Sequence, residues 1–209
     1  MSRSLFSVLV AAVTVGGLVV VAWASRLSGA ISPWRRRLLA CAVLLTYAAA
    51  LMLRPPAWPV INLAVLAGAV GGVLLIQGGL PTPGSVAVFL CVAAVVDLLS
   101  FSGGFTHILI ERYRGGSGNL LLYLCLVMPV HGHTIPIVGI GDLLVGGVAA
   151  TALLRLGLRP ALVIGAVAVG LLSALAYGLW RGGAPAIPFI AIAVVFLVWR
   201  HSAGAASDR

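Results

Sequence analysis

The chain of 209 residues carries four acids, Asp97, Glu111, Asp142 and Asp208. Two of them, Asp97 and Asp142, fall inside long apolar runs that read as membrane-spanning helices. A carboxylate near the middle of a bilayer costs at least about 2.5–3.5 kcal/mol, so it normally faces a protein interior or a water-filled cavity. One such residue alone can be a structural acid, satisfied by backbone or by an arginine. Two that meet have a chemistry of their own. Facing carboxyls in a low-dielectric site do not both ionise easily, and they share one proton. The ionised member can then take a proton from water as it attacks a peptide carbonyl, while the protonated member donates to the carbonyl oxygen. Which acid plays which role belongs to the pair, and sequence does not assign it. The same pair could instead serve as a proton relay in a transporter or channel.

Their spacing suits one site. Asp97 lies about four residues before the end of an apolar run over residues 85–101, and Asp142 about six after the start of the next, over 136–156. In antiparallel helices rising ~1.5 Å per residue, both carboxyls fall roughly 6–9 Å below the same membrane face. Asp142 closes the string Gly139-Ile140-Gly141-Asp142, whose missing side chains permit close approach of a second helix or an extended substrate backbone. Such glycines can also mark no more than tight packing. A third element is Pro185-Ala186-Ile187-Pro188, just after Gly182-Gly183. Its prolines leave backbone groups unpaired, which a membrane interior tolerates only beside a cavity or inside protein. The plainer reading is that they start a helix at its first turn.

The elements that must hold these residues follow from composition. With 62% hydrophobic and 8% charged residues, and a mean hydropathy of +1.19, the chain lacks the charge to cover a soluble domain. Lys is absent, and the Arg residues stand mostly between apolar runs. The net charge of +9 therefore reads as topology and headgroup contact, since no basic face or arm is present to bind nucleic acid. Runs long enough to span are predicted over residues 5–25, 38–53, 59–76, 85–101, 136–156, 160–180 and 185–200. The first exceeds the ~7–15 apolar residues of a secretory signal and is read as a retained span. Arg35-Arg36-Arg37, Arg54-Pro55-Pro56 and the turn over 77–84 separate the early runs. The polar interval 102–119, with Glu111, Arg112 and Arg114, reads as a solvated loop. Residues 120–129 are too short for a comfortable span, and strand, helix and partly inserted segment stay open. The distribution of Arg puts the N-terminus outside and the C-terminus in the cytoplasm. Cys41, Cys91 and Cys125 show no metal or disulfide spacing and read as packing residues. His131 and His133 form an H-x-H pair without a third ligand and read as solvated. Trp23, Trp34, Trp58, Trp180 and Trp199 fall near run ends, as an aromatic belt does. The expected fold is an all-α, polytopic transmembrane helix bundle of about seven spans, with no internal repeat and no separable soluble domain.

Taken in order, Asp97, Gly139 to Asp142 and Pro185-Ala186-Ile187 resemble the motifs of the presenilin and signal-peptide-peptidase family of intramembrane aspartyl proteases, including its archaeal presenilin-like members. That family has an Asp in one helix, GxGD in the next and Pro-Ala-Leu opening the last, with one span between the final two. Ser100, His107 and the apolar stretch before the GxGD helix also look like the family's pattern, in which that stretch can pair with substrate as a strand. Val96 stands where the family usually has Tyr, and Ile187 where it has Leu; the family typically has nine spans. The resemblance implies N-terminal transmembrane helices over 1–84, a presenilin-like catalytic core over 85–199 and a tail over 200–209. It implies Asp97 and Asp142 as the catalytic pair, with Gly139, Ile140, Gly141, Pro185, Ala186 and Ile187 shaping the site. Membrane-embedded peptides or proteins would be the substrates, with no cofactor, metal or nucleic acid, in a multi-pass protein of a prokaryotic cell membrane. Prepilin-type peptidases also use two Asp and GxGD, but lack the Pro-Ala motif, and Leu143-Leu144 fits them poorly. The rivals are a proton-coupled transporter or channel, whose matching halves are not visible here, and an inactive family member acting as a membrane binding partner.

Overall fold

The computed structural model describes residues 3–27, 32–52, 58–76, 79–117, 119–130, 133–181 and 183–207. The breaks expected at Arg54-Pro55-Pro56 and Gln77-Gly78, together with His131, Gly182 and Asp208, lie outside the described residues. The chain is mostly helical: α1 (Arg3–Leu27), α2 (Pro33–Met52), α3 (Trp58–Ile76), α4 (Pro83–Ser102), α5 (Phe105–Arg114), α6 (Leu120–Tyr123), α7 (Ile140–Arg155), α8 (Pro160–Arg181) and α9 (Ile187–Ser207). Between α6 and α7 stands one hairpin, β1 (Cys125–Val130) with β2 (His133–Gly139). Among the described residues, three helical stretches are long and apolar enough to cross a membrane: Trp58–Ile76, Pro83–Arg114 (α4 with α5) and Pro160–Arg181.

Proline starts α2, α4 and α8 at a position where its missing N–H removes nothing from the helix. Thr82 caps α4: the Ser85 N–H donates to its Oγ1, and the Thr82 N–H donates to Ser85 Oγ, both at 3.1 Å. Arg35, Arg36 and Arg37 therefore lie in the first turns of α2, not before it. The polar interval after α4 is no loop. Glu111, Arg112 and Arg114 sit on α5, a separate helix that follows Gly103-Gly104. A Cβ at Gly104 would lie 2.8 Å from the Ser100 backbone, so the sharp exit from α4 needs a glycine. The last helix also differs from expectation, beginning at Ile187 and continuing past Arg200 to Ser207.

The largest departure from an all-α fold concerns residues 125–139. Pro129 and Pro136 oppose a helix, each at a cost of about 3 kcal/mol, and Val127, Val130, Ile135, Ile137 and Val138 favour strand. Residues 136–139, expected to open a span, are the end of β2, and α7 starts only at Ile140. The strands are antiparallel, from Cys125 opposite Gly139 to Val130 opposite His133. Leu126 faces Val138 and Val127 faces Pro136, which leaves Ile137 as an extra residue in β2.

At 16 residues, about 24 Å long, α7 is the shortest of the large helices and the most enclosed. Every residue from Val145 to Leu153 is buried. It packs against α1, α3, α4, α8 and α9, and the core around it includes Leu18, Val65, Val73, Leu90, Val167 and Ile190. The two Asp-bearing helices, α4 and α7, are thus neighbours. α4 is peripheral: Val86 and Leu90 are buried while Val88, Val92, Val95, Val96 and Leu99 are exposed.

α8 and α9 approach closely at Gly170, where an added Cβ would lie 2.6 Å from the Ile190 Cα and 2.8 Å from its N. These are backbone atoms, so the helices themselves would have to part. Gly170→Ala is expected to lower stability by roughly 1–3 kcal/mol, as overpacking does. Gly165→Ala, with nothing within 4 Å of the new carbon, should be neutral or slightly stabilising. Thermal unfolding in one detergent compares the two.

Candidate active site

Asp142 is the third residue of α7, and its place follows from the strand-to-helix junction. Gly139 ends β2 and precedes the first helical residue, and its N–H donates to Asp142 Oδ2 at 3.1 Å. This is the acidic half of a capping arrangement, which folds the carboxyl back over the helix start. A Cβ at position 139 would lie 3.1 Å from that oxygen, so a larger residue would press on the acid. Gly141 has another role. Nothing lies within 4 Å of the position of its absent Cβ, so it leaves open space beside Asp142 instead of admitting a second helix. The carboxyl therefore stands in the first turn of a helix, shallower along it than six residues.

Asp97 is held from the other side. Ala186 accepts the backbone N–H groups of Phe189 and Ile190 and so begins α9, whose first N–H groups have no partner within the helix. One of these, the Ile187 N–H, donates to Asp97 Oδ2 at 3.1 Å. An acid on α4 thereby caps α9. The prolines do begin a helix, and the same turn touches the acid. Neither reading displaces the other.

The eight residues singled out by sequence converge. Asp97, Gly139, Ile140, Gly141, Asp142, Pro185, Ala186 and Ile187 all line one cavity of about 440 Å³. Asp97 and Asp142 are each half-buried and lie within electrostatic reach of one another. In both, Oδ2 is held by a backbone N–H, and Oδ1 has no hydrogen-bond partner among the described residues. Oδ1 is the oxygen available to water or to a bound group. A smaller cavity of about 240 Å³ lies alongside, between Ile135–Val138 of β2 and Ala174, Gly178 and Leu179 of α8. Asp142, Gly183, Ala184 and Ala186 line both. A third, of about 640 Å³, carries His107, Glu111, Arg114 and Arg181 and meets the first at Phe101, Gly183 and Pro185. Gly183 lines all three with φ of 146°, a conformation that favours glycine.

Other sequence candidates take structural places. Ser100 Oγ lies 2.8 Å from Thr106 Oγ1 and accepts the Thr106 N–H, joining α4 to α5. His107 is exposed on α5. Glu111 and Arg114 form an exposed ion pair at 3.8 Å, worth little. His133 is exposed at the start of β2, its H-x-H partner His131 lies outside the described residues, and no group of three potential metal ligands occurs among those described. Asn62, Tyr47 and Tyr113 were not apparent from sequence. All three bind the backbone around the hairpin, and a lone polar group in an apolar helix was the available signal at Asn62. Comparison with protein-family models, curated proteins and solved structures found no match.

The Ile187 bond separates two roles of Asp97. Asp97→Asn keeps an oxygen to accept the Ile187 N–H and should unfold within about 1 kcal/mol of the wild type. Asp97→Leu leaves that N–H unpaired and should cost about 1–3 kcal/mol. Thermal midpoints of the two variants give the comparison.

Proposed function

We propose that this chain is an intramembrane aspartyl protease of the presenilin and signal-peptide-peptidase type, hydrolysing peptide bonds of membrane-embedded substrates. The observation that carries the reading is the convergence of Asp97 and Asp142 on one cavity, each tethered by the backbone of one motif. A structural acid needs only its own partner. Here two acids line one cavity, and each keeps a second oxygen without a hydrogen-bond partner among the described residues.

In this mechanism water sits between the two Oδ1 atoms. The ionised carboxyl removes its proton as it attacks the scissile carbonyl, and the protonated carboxyl donates to the carbonyl oxygen. The Gly139 and Ile187 N–H groups hold the carboxyls in place, so little reorganisation is needed when the proton moves. The residues themselves activate water, and no cofactor takes part. Substrate enters as an extended segment beside β2, where Ile135–Val138 and α8 bound the smaller cavity next to Asp142. The cavity carrying Glu111, Arg114 and Arg181 supplies water from the membrane face. Seven spans in a prokaryotic cell membrane, a supporting unit over 1–84, a catalytic core over 85–199 and a tail over 200–209 complete the proposal.

Asp97→Asn and Asp142→Asn should each lower cleavage of a single-span substrate by roughly a thousandfold or more, with the fold retained. Cleavage by either variant at the wild-type rate would remove the mechanism. Asp-dependent proton flux in proteoliposomes without cleavage would replace it with a transporter. Ala186→Trp, which fills the space shared by two cavities, should abolish both cleavage and transition-state-analogue binding. A helix-starting role alone would leave both unchanged.

A further inference from the structure

Asn62 is the only side chain of α3 that carries an amide, hydroxyl or charge, in a helix long and apolar enough to cross a membrane. Its amide leaves the helix to bind the hairpin. Nδ2 donates to the Val127 carbonyl at 2.9 Å, and Oδ1 accepts the Val127 N–H at 2.7 Å. In an antiparallel ladder both polar groups of one residue face the same side. This two-point contact therefore stands in for a third strand along the outer edge of β1.

The contact falls where the hairpin is weakest. Val127 turns both its polar groups to Asn62 and away from Pro136 opposite, and the extra residue Ile137 interrupts the register beside it. Left to itself, a two-stranded ribbon with such an interruption can slip, and a slip of one residue turns every side chain to the other face. The consequences would reach the acid directly. Cys125, two residues before Val127, pairs with Gly139, and the Ile140 N–H donates to the Leu124 carbonyl at 2.7 Å. Gly139 in turn donates to Asp142 Oδ2.

We infer that Asn62 is a positioning residue: by clamping Val127 it sets the register of β1 on β2, and through Gly139 it aims Asp142 into the cavity shared with Asp97. The catalytic consequence rests on the protease reading, while the clamp itself can be measured without it.

The test is amide hydrogen exchange on the full chain in lipid nanodiscs, read at Val127, Gly139 and Ile140, with Leu171 as an internal reference. Asn62→Leu should speed exchange at all three by about tenfold or more, with Leu171 unchanged. Acceleration at Val127 alone would mean local satisfaction of one residue and would overturn the inference, as would no change at all. Asn62→Asp supplies a second variant should the leucine protein fail to fold. Its protonated carboxyl offers the same donor and acceptor, so relative to wild type at each pH its protection should be restored in acid and lost as pH rises. A lack of rescue in acid counts against the clamp. In cleavage assays Asn62→Leu should lower kcat by about tenfold with KM within about twofold, and an unchanged kcat alongside faster exchange at Gly139 would overturn the positioning role. If the wild type itself cleaves nothing, the protease reading fails, and the exchange pattern still decides whether Asn62 sets the register.

Discussion

Backbone N–H and C=O groups outside regular helix must find partners inside the protein when the surroundings are apolar helices. The site is built from two such places, the hairpin ending at Gly139 and the turn opening α9. Each is repaired by side chains from elsewhere. Asn62 binds both polar groups of Val127, Tyr47 donates to the Tyr123 carbonyl, and Tyr113 donates to the Thr134 carbonyl. Asp97 takes the Ile187 N–H, and Asp142 takes that of Gly139. Irregular backbone, cavities and polar side chains therefore occur together for one reason.

This gives the two acids a double character. As acceptors of helix-terminal or strand-terminal N–H groups they are structural, and their second oxygens have no hydrogen-bond partner among the described residues. A group held through one oxygen is oriented for chemistry at the other. The enclosure of α7 reinforces that orientation, because a helix buried from Val145 to Leu153 has few ways to tilt. By contrast α4 exposes much of its apolar surface, so Asp97 is held chiefly by its contact with α9.

The halves of the chain divide the work. Residues beyond 84 carry both acids and both glycine- and proline-rich motifs, while α1, α2 and α3 supply walls and props. Val21 and Val73 pack against the glycine face of α7 at Gly147, and Tyr47 and Asn62 reach the hairpin. The N-terminal helices are thereby joined to the geometry of Asp142 even though none of their described residues lines its cavity.

Chemistry-bearing residues were legible in the sequence because an acid in an apolar run is costly and so conspicuous, and because glycine and proline strings declare irregular backbone. The apolar runs likewise identified most helices, since hydropathy is a property of consecutive residues. What consecutive residues do not encode is partnership across the fold. Pro136 to Gly139 read as the start of a span, yet pairing with β1 made them strand. Glu111 and its neighbours read as loop, although local bonds and burial of Leu109 made a helix. Asn62 lies 65 positions from Val127 and Asp97 lies 90 from Ile187, separations at which no local pattern predicts a bond. Sequence determined which residues could not stay alone in an apolar setting. Only the tertiary structure decided who satisfies them, because those partners come together when the helices pack.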